Sequence, residues 1–277
     1  MTAIPRRLLA AAFGVLLLIE CAGCKKEQGE ILPPEGEYTS GGGYQPKVPD
    51  VSAQLEAAIA KNSDVVGWLQ LPNTAINEAV VQTTDNEYYL RRDVEKKYAY
   101  EGCYYLDYES LLFDDGADLA QNSIIYGHNL GDPMGVKDNP DGVKFAQLLK
   151  LDDIEIAKKT PYIYFTTPAE THIFEIFAVV YCESETTPVP YHYAEYSDEQ
   201  FDALIADMKA RSQYTYDVDV APEDRIITLS TCSYKYGTYS QNPNQRYIVL
   251  GRLVKPGESY HETANLTANA SPKAPQF

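Results

Sequence analysis

The apolar residues of this chain come in short runs, and few of those runs are long enough for a core helix. They lie at residues 65–71, 79–82, 102–106, 123–127, 162–166, 171–182, 226–231 and 246–254. Several alternate polar and apolar residues and others are continuously apolar, and turn residues such as Pro72-Asn73 end them, so they read as β-strands. Helical patterns interrupt them at 52–61, 144–149, 153–159 and 198–211. In the last, Phe201, Leu204, Ile205 and Met208 fall at i, i+3, i+4 and i+7 and form one apolar stripe. Asp50 or Ser52 is the expected N-cap of the first. Many short strands with few helices predict a mainly β fold, a barrel or a sandwich with helical insertions.

The 277 residues are 44 % hydrophobic, enough for a sizeable core. The formal charge of −17, from 40 acidic and 23 basic residues, argues against nucleic acid or an anionic lipid face as the main partner. Tyrosine is abundant at 23, and its apolar ring and polar tip suit strands and peptide-binding grooves.

Residues 1–24 read as a targeting segment. Arg6-Arg7 precede an apolar run from Leu8 to Ile19, short of the roughly 20 residues of a spanning helix and within the roughly 7–15 of a signal peptide. Ala22-Gly23-Cys24 then resembles a bacterial lipoprotein cleavage site, which would leave Cys24 lipidated; the alternative is an uncleaved membrane anchor. Either way the chain is expected outside the cytoplasm, held to the membrane through its N-terminus. The C-x-x-C of Cys21 and Cys24 belongs to this segment. Residues 25–50, with Pro33-Pro34, Gly41-Gly42-Gly43, Pro46 and Pro49, are expected to be a flexible linker. Residues 259–277 read as a disordered tail, which leaves 51–258 as the folded domain. Cys103 and Cys182 sit in apolar runs and suit the core, although an exported protein could pair them.

The chemistry gathers at strand ends. The run Ile226-Ile227-Thr228-Leu229-Ser230-Thr231-Cys232 delivers a thiol, and Ser123-Ile124-Ile125-Tyr126-Gly127-His128 delivers an imidazole. Arg246 opens the run Tyr247-Ile248-Val249-Leu250. A thiol gains reactivity from a nearby imidazole or cation, and acyl transfer needs donors where the oxyanion develops. Cys232, His128 and Arg246 can supply the nucleophile, the acid/base and the oxyanion donor. A Cys at a strand end is nonetheless more often a packing residue. Arg252, six residues after Arg246, competes for the last role but sits deeper in its run and reads as structural. His172 is expected to face outward from its strand, His192 to lie in a loop and His261 in the tail. No His, Cys or Asp set has metal-ligand spacing, so neither a metal nor any other cofactor is expected.

Tyr126-Gly127-His128 and Thr228-Leu229-Ser230-Thr231-Cys232, followed by an Arg opening a Val/Ile strand, resemble a sortase. Val65-Val66-Gly67-Trp68-Leu69, Ile76-Asn77-Glu78-Ala79-Val80-Val81-Gln82, Asp85-Asn86-Glu87-Tyr88-Tyr89-Leu90 and Gly102-Cys103-Tyr104-Tyr105-Leu106-Asp107 resemble the class B branch, as does the helix at 198–211. The likeness spans about residues 51–255. It implies a closed eight-stranded β-barrel with an N-terminal helix and a long helix inserted before the cysteine-bearing strand. It implies a cysteine transpeptidase that cuts a C-terminal sorting signal of secreted proteins after Thr and holds the acyl part on Cys232 as a thioester. The acyl group then passes to an amine of a lipid II-type cell-wall precursor, or to a pilin. His128 would serve as acid and then base, and Arg246 would hold the carbonyl. Asn77, Val81, Ser230 and Tyr191 would lie in the substrate groove. The chain departs from the class at Glu78-Ala79, where Tyr-Pro is common, and at Ser233-Tyr234, which offers no acid beside the thiol. Two other readings are a surface-tethered binding lipoprotein on a sortase-like barrel without catalysis, and a cysteine peptidase that only hydrolyses.

Overall fold

The expected strands close on one another in a computed structural model that describes residues 30–132 and 134–277. Eight of them form a barrel: β1 (Val65–Leu71), β2 (Ile76–Val81), β3 (Tyr104–Leu106), β4 (Asn122–Tyr126), β5 (Tyr162–Thr166), β6 (Thr171–Glu183), β7 (Ile226–Cys232) and β8 (Gln245–Leu253). Around the barrel the order is β5-β6-β8-β7-β4-β3-β2-β1, closing from β1 back to β5. Two neighbours run parallel, β2 with β3 and β4 with β7; the remaining pairs are antiparallel. Closure leaves no open sheet edge.

The continuously apolar strands are buried on both faces, because other elements cover the barrel from outside. Leu69, Ile125, Ile163, Phe165, Phe174 and Leu229 belong to the main core. Helix α3 (Asp198–Arg211) lays Phe201, Leu204, Ile205 and Met208 on that core, as its stripe predicts. A capping box between Ser197 and Gln200 sets where it begins. Helix α1 (Ser52–Lys61) buries Leu55 in a second cluster with Val65, Val81, Tyr89 and Cys103. Its N-cap is Val51, while the Asp50 carboxylate accepts from the Ser52 N–H at 2.9 Å and hydroxyl at 2.7 Å. The pattern at 144–149 resolves into a 3₁₀ helix, Phe145–Asp152, and α2 (Ile154–Lys159) follows, capped by Asp153.

Three expectations are corrected. Residues 259–277 are no disordered tail: Leu266–Ala268 pairs with Tyr214–Tyr216, Leu266 is buried, and the Lys273 ammonium meets Asp207. A run poor in apolar residues still docks, because one leucine and a row of backbone bonds tie it down. The Pro/Gly segment from residue 30 to 50 is not free chain. Gly36–Tyr38 pairs with Tyr44–Pro46, and Leu32 exchanges backbone bonds with Asn73 and Thr74. His172 does not face outward; it is buried, with Nε2 2.6 Å from the Gly116 carbonyl.

Cys103 and Cys182 are free thiols in separate core clusters, each pushed up to about 12 by burial. The targeting segment 1–24, Cys24 included, lies outside the described residues. Among the described residues no helix is long and apolar enough to cross a membrane, and no His, Cys, Asp or Glu group could hold a metal ion.

Candidate active site

Parallel pairing of β4 and β7 brings two strand ends to one rim of the barrel. Their register runs from Asn122 opposite Ile226 to Tyr126 opposite Ser230. His128 follows two residues beyond the last paired position on β4, and Cys232 two residues beyond it on β7. The crossing is pinned on both sides: the Gly127 N–H donates to the Ser230 carbonyl at 3.3 Å, and the Thr231 hydroxyl donates to the Gly127 carbonyl at 2.7 Å. Gly127 must be glycine here, since a Cβ would stand 2.8 Å from both the Phe145 and Tyr104 rings.

Strand β8 runs antiparallel to β7 and starts at the same rim, with Arg246 directly opposite Cys232. Directly opposed residues share a face, with Cβ atoms about 4.5–5.5 Å apart. Arg246, Cys232 and His128 are all half-buried and line one cleft of about 690 Å³. The Arg246 head is held by the carbonyls of Pro243 at 2.8 Å and Gln245 at 3.0 Å. Burial works against its charge, but Cys232, Tyr191, Cys182 and Tyr239 together outweigh that and hold the guanidinium above its usual range. Arg252 stands opposite Ile226 at the far end of β7, six residues or roughly 20 Å from the thiol. It is buried against Glu175 at 3.4 Å and Glu258 at 2.9 Å, a structural position.

The imidazole of His128 has its Nε2 2.8 Å from the Leu90 carbonyl, which can only accept. The Arg91 guanidinium lies 3.2 Å from the same Nε2, anchored by the Tyr100 carbonyl and stacked over the Tyr100 ring at 4.5 Å. Burial pulls the His128 pKa below the usual imidazole value; the Leu90 carbonyl opposes this, and the Arg91 and Lys144 charges reinforce it. Leu90 and Arg91 were not foreseen as partners of His128. Leu90 ends the motif Asp85-Asn86-Glu87-Tyr88-Tyr89-Leu90 and Arg91 follows it, and the spacing of that motif carries no hint that its backbone meets an imidazole.

Of the four groove residues, Ser230 and Tyr191 line the cleft, bonded hydroxyl to hydroxyl at 3.0 Å. Asn77 and Val81 do not, and this corrects the expectation. Period-2 alternation puts Asn77, Ala79 and Val81 on one face of β2. Val81 is fully buried in the cluster with Leu55, whereas Asn77 stays exposed and its Oδ1 accepts from the Trp68 indole at 2.7 Å. His192 also reaches the cleft wall.

The model of the sortase domain matches residues 69–254. The chain belongs to the sortase family. Sortase B of Listeria monocytogenes is 32 % identical over 205 residues, covering 74 % of this chain and 76 % of the relative. Sortase B of Staphylococcus aureus is 27 % identical, with 74 % and 76 % covered. The solved S. aureus sortase B–substrate complex superposes with a TM-score of 0.61 at 26 % identity, over 74 % of this chain and 87 % of that one. This sortase is of class B, a cysteine transpeptidase on a closed eight-stranded barrel.

Proposed function

We propose that this sortase cleaves a C-terminal sorting signal of secreted proteins after Thr and transfers the acyl group from Cys232 to an amine. The amine belongs to a lipid II-type cell-wall precursor or to a pilin. The reading rests on one observation: thiol, imidazole and guanidinium, from three strands, line the same cleft, with Cys232 and Arg246 opposite in register.

The Cys232 thiol gives its proton to the neutral imidazole of His128, its sulfur attacks the scissile carbonyl carbon, and the carbonyl π electrons move to oxygen. The Arg246 guanidinium, which cannot lose its charge, meets that oxyanion with fixed donors. As the oxyanion collapses the C–N bond breaks, and His128 gives its proton to the leaving amine. A thioester remains on Cys232. The incoming amine attacks it, neutral His128 takes the amine's proton, and the thiolate departs. Tyr191 and Ser230 form the wall against which the signal lies.

The reaction takes place on the extracytoplasmic face of the membrane, with the N-terminal segment as tether through a lipidated Cys24 or an uncleaved anchor. Full-length protein incubated with quenched peptides of Asn-Pro-x-Thr-Asn and Ser-Pro-x-Thr-Gly type tests the reading. Cleavage should need Cys232, and an added amine should appear in the product. Undiminished cleavage by Cys232→Ala rejects it, and hydrolysis alone in the presence of amine would leave only a peptidase.

A further inference from the structure

The turn after the thiol, Ser233-Tyr234, has no acid of its own, yet a carboxylate reaches it from another loop. Asp138 belongs to the long loop that follows His128. Its Oδ2 accepts from the Ser233 hydroxyl at 2.8 Å. Its Oδ1 accepts from the Tyr234 N–H at 3.0 Å and from the Asn129 amide at 2.8 Å. The same Asn129 Nδ2 donates to the Cys232 carbonyl at 3.0 Å. Asn129 is the residue after His128, and Ser233 is the residue after Cys232. One half-buried carboxylate therefore ties the backbone just beyond the imidazole to the backbone just beyond the sulfur. A second bond joins the same two loops, from the Tyr239 N–H to the Gly135 carbonyl at 3.2 Å.

Asp138 is not placed to move protons in the reaction. It does not line the cleft, and three donors already occupy its oxygens. A carboxylate bonded in this way fixes geometry, and it does so between two segments that no regular ladder joins: β4 ends at Tyr126 and β7 at Cys232.

We infer that Asp138 is a positioning residue that sets the spacing of His128 and Cys232, acting through Asn129 and Ser233. This rests on the roles given to those two residues under Proposed function. Removing the strap leaves both reacting groups in place but looser, which should lower turnover more than substrate binding.

The test uses the full chain and the quenched peptides above, with kcat, KM and thermal unfolding measured together. Asp138→Ala should lower kcat on the order of 10- to 10²-fold, the scale of an ångström's misplacement, at unchanged KM. Asp138→Asn should stay close to wild type. Its amide oxygen can still accept from Asn129 and Tyr234, and its N–H can donate to the Ser233 oxygen. A folded alanine variant with wild-type kcat overturns the inference. So does an asparagine variant as impaired as alanine, because the carboxylate would then act by charge. Should Asp138→Ala fail to fold, Asn129→Ala and Ser233→Ala take its place, each removing one arm. Both at wild-type kcat overturns the inference; both slowed at unchanged KM supports it. Cys232→Ala in the same assay is the separate control: if it still cleaves, the transpeptidase reading fails whatever Asp138 does.

Discussion

Tyr191 and Ser230, 39 residues apart in the chain, meet hydroxyl to hydroxyl at 3.0 Å beside the cleft. Both are buried, Tyr191 at 3 % and Ser230 at 2 % exposure, so neither oxygen has free access to bulk water. Ser230 lies two residues before Cys232 on β7, hence on the same face of the strand. The bond therefore fixes the loop from Glu183 to Ser197 over the face that carries the thiol.

Removing one of these hydroxyls strands the other. Tyr191→Phe should cost about 1–3 kcal/mol of stability, the typical loss for a buried polar group left without its partner. It should also raise KM for the peptide, since the groove wall loosens. Denaturant unfolding and steady-state kinetics check the two halves.

Arg246 and Arg252 stand on one strand and should fail in different ways. Arg246→Ala is expected to lose on the order of 10²-fold in kcat with its fold intact, the scale of a lost oxyanion donor. Arg252→Ala should destabilise by about 3 kcal/mol, because Glu175 loses its buried partner, with kcat preserved in whatever remains folded. If Arg252→Ala is the variant that folds normally and does not cleave, the assignment is reversed.

His128 should titrate below the ordinary imidazole value of about 6.5. Burial is the first cause, with the Arg91 and Lys144 charges adding to it. Because the folded state holds the neutral ring, the unfolded chain binds the extra proton in the window between the folded pKa and about 6.5. This contribution to stability is complete above that window and is lost as the pH falls through it. Arg91→Met should move the midpoint upward, read from the His128 Cε1–H chemical shift. An unmoved midpoint would show that Arg91 has no hold on the ring.

The last nineteen residues should matter to the fold. A chain ending at residue 258 loses the strand Leu266–Ala268 and the Lys273 partner of Asp207. Burial of Leu266 alone is worth about 1.5–3 kcal/mol, so the urea midpoint should fall by at least that equivalent. An unchanged midpoint would mean that the segment merely lies on the surface.

Gly127→Ala should cost about 1–3 kcal/mol through overpacking, since the added Cβ meets the Phe145 and Tyr104 rings. The ring of His128 is next in the chain, so kcat should drop as well. Thermal unfolding and kcat on the same preparation check both.

The strands, helix α3 and the thiol, imidazole and guanidinium could all be read from residues, because each depends on a local period or on a motif in one stretch of chain. Helix α3 appears over the residues its stripe marks, and Cys232 ends its strand as the apolar run implies. Asn77 and Val81 show where that kind of reading stops. Their alternation puts them on one face of β2, but only the position of α1 decides that Val81 is covered while Asn77 stays exposed. The docked C-terminal segment, the Leu90 carbonyl on His128 and the Asp138 strap are decided in the same way. Each joins residues far apart in sequence, through backbone groups or single side chains. Periodicity records which way a side chain points from its own strand or helix, and only packing in three dimensions records what it meets there.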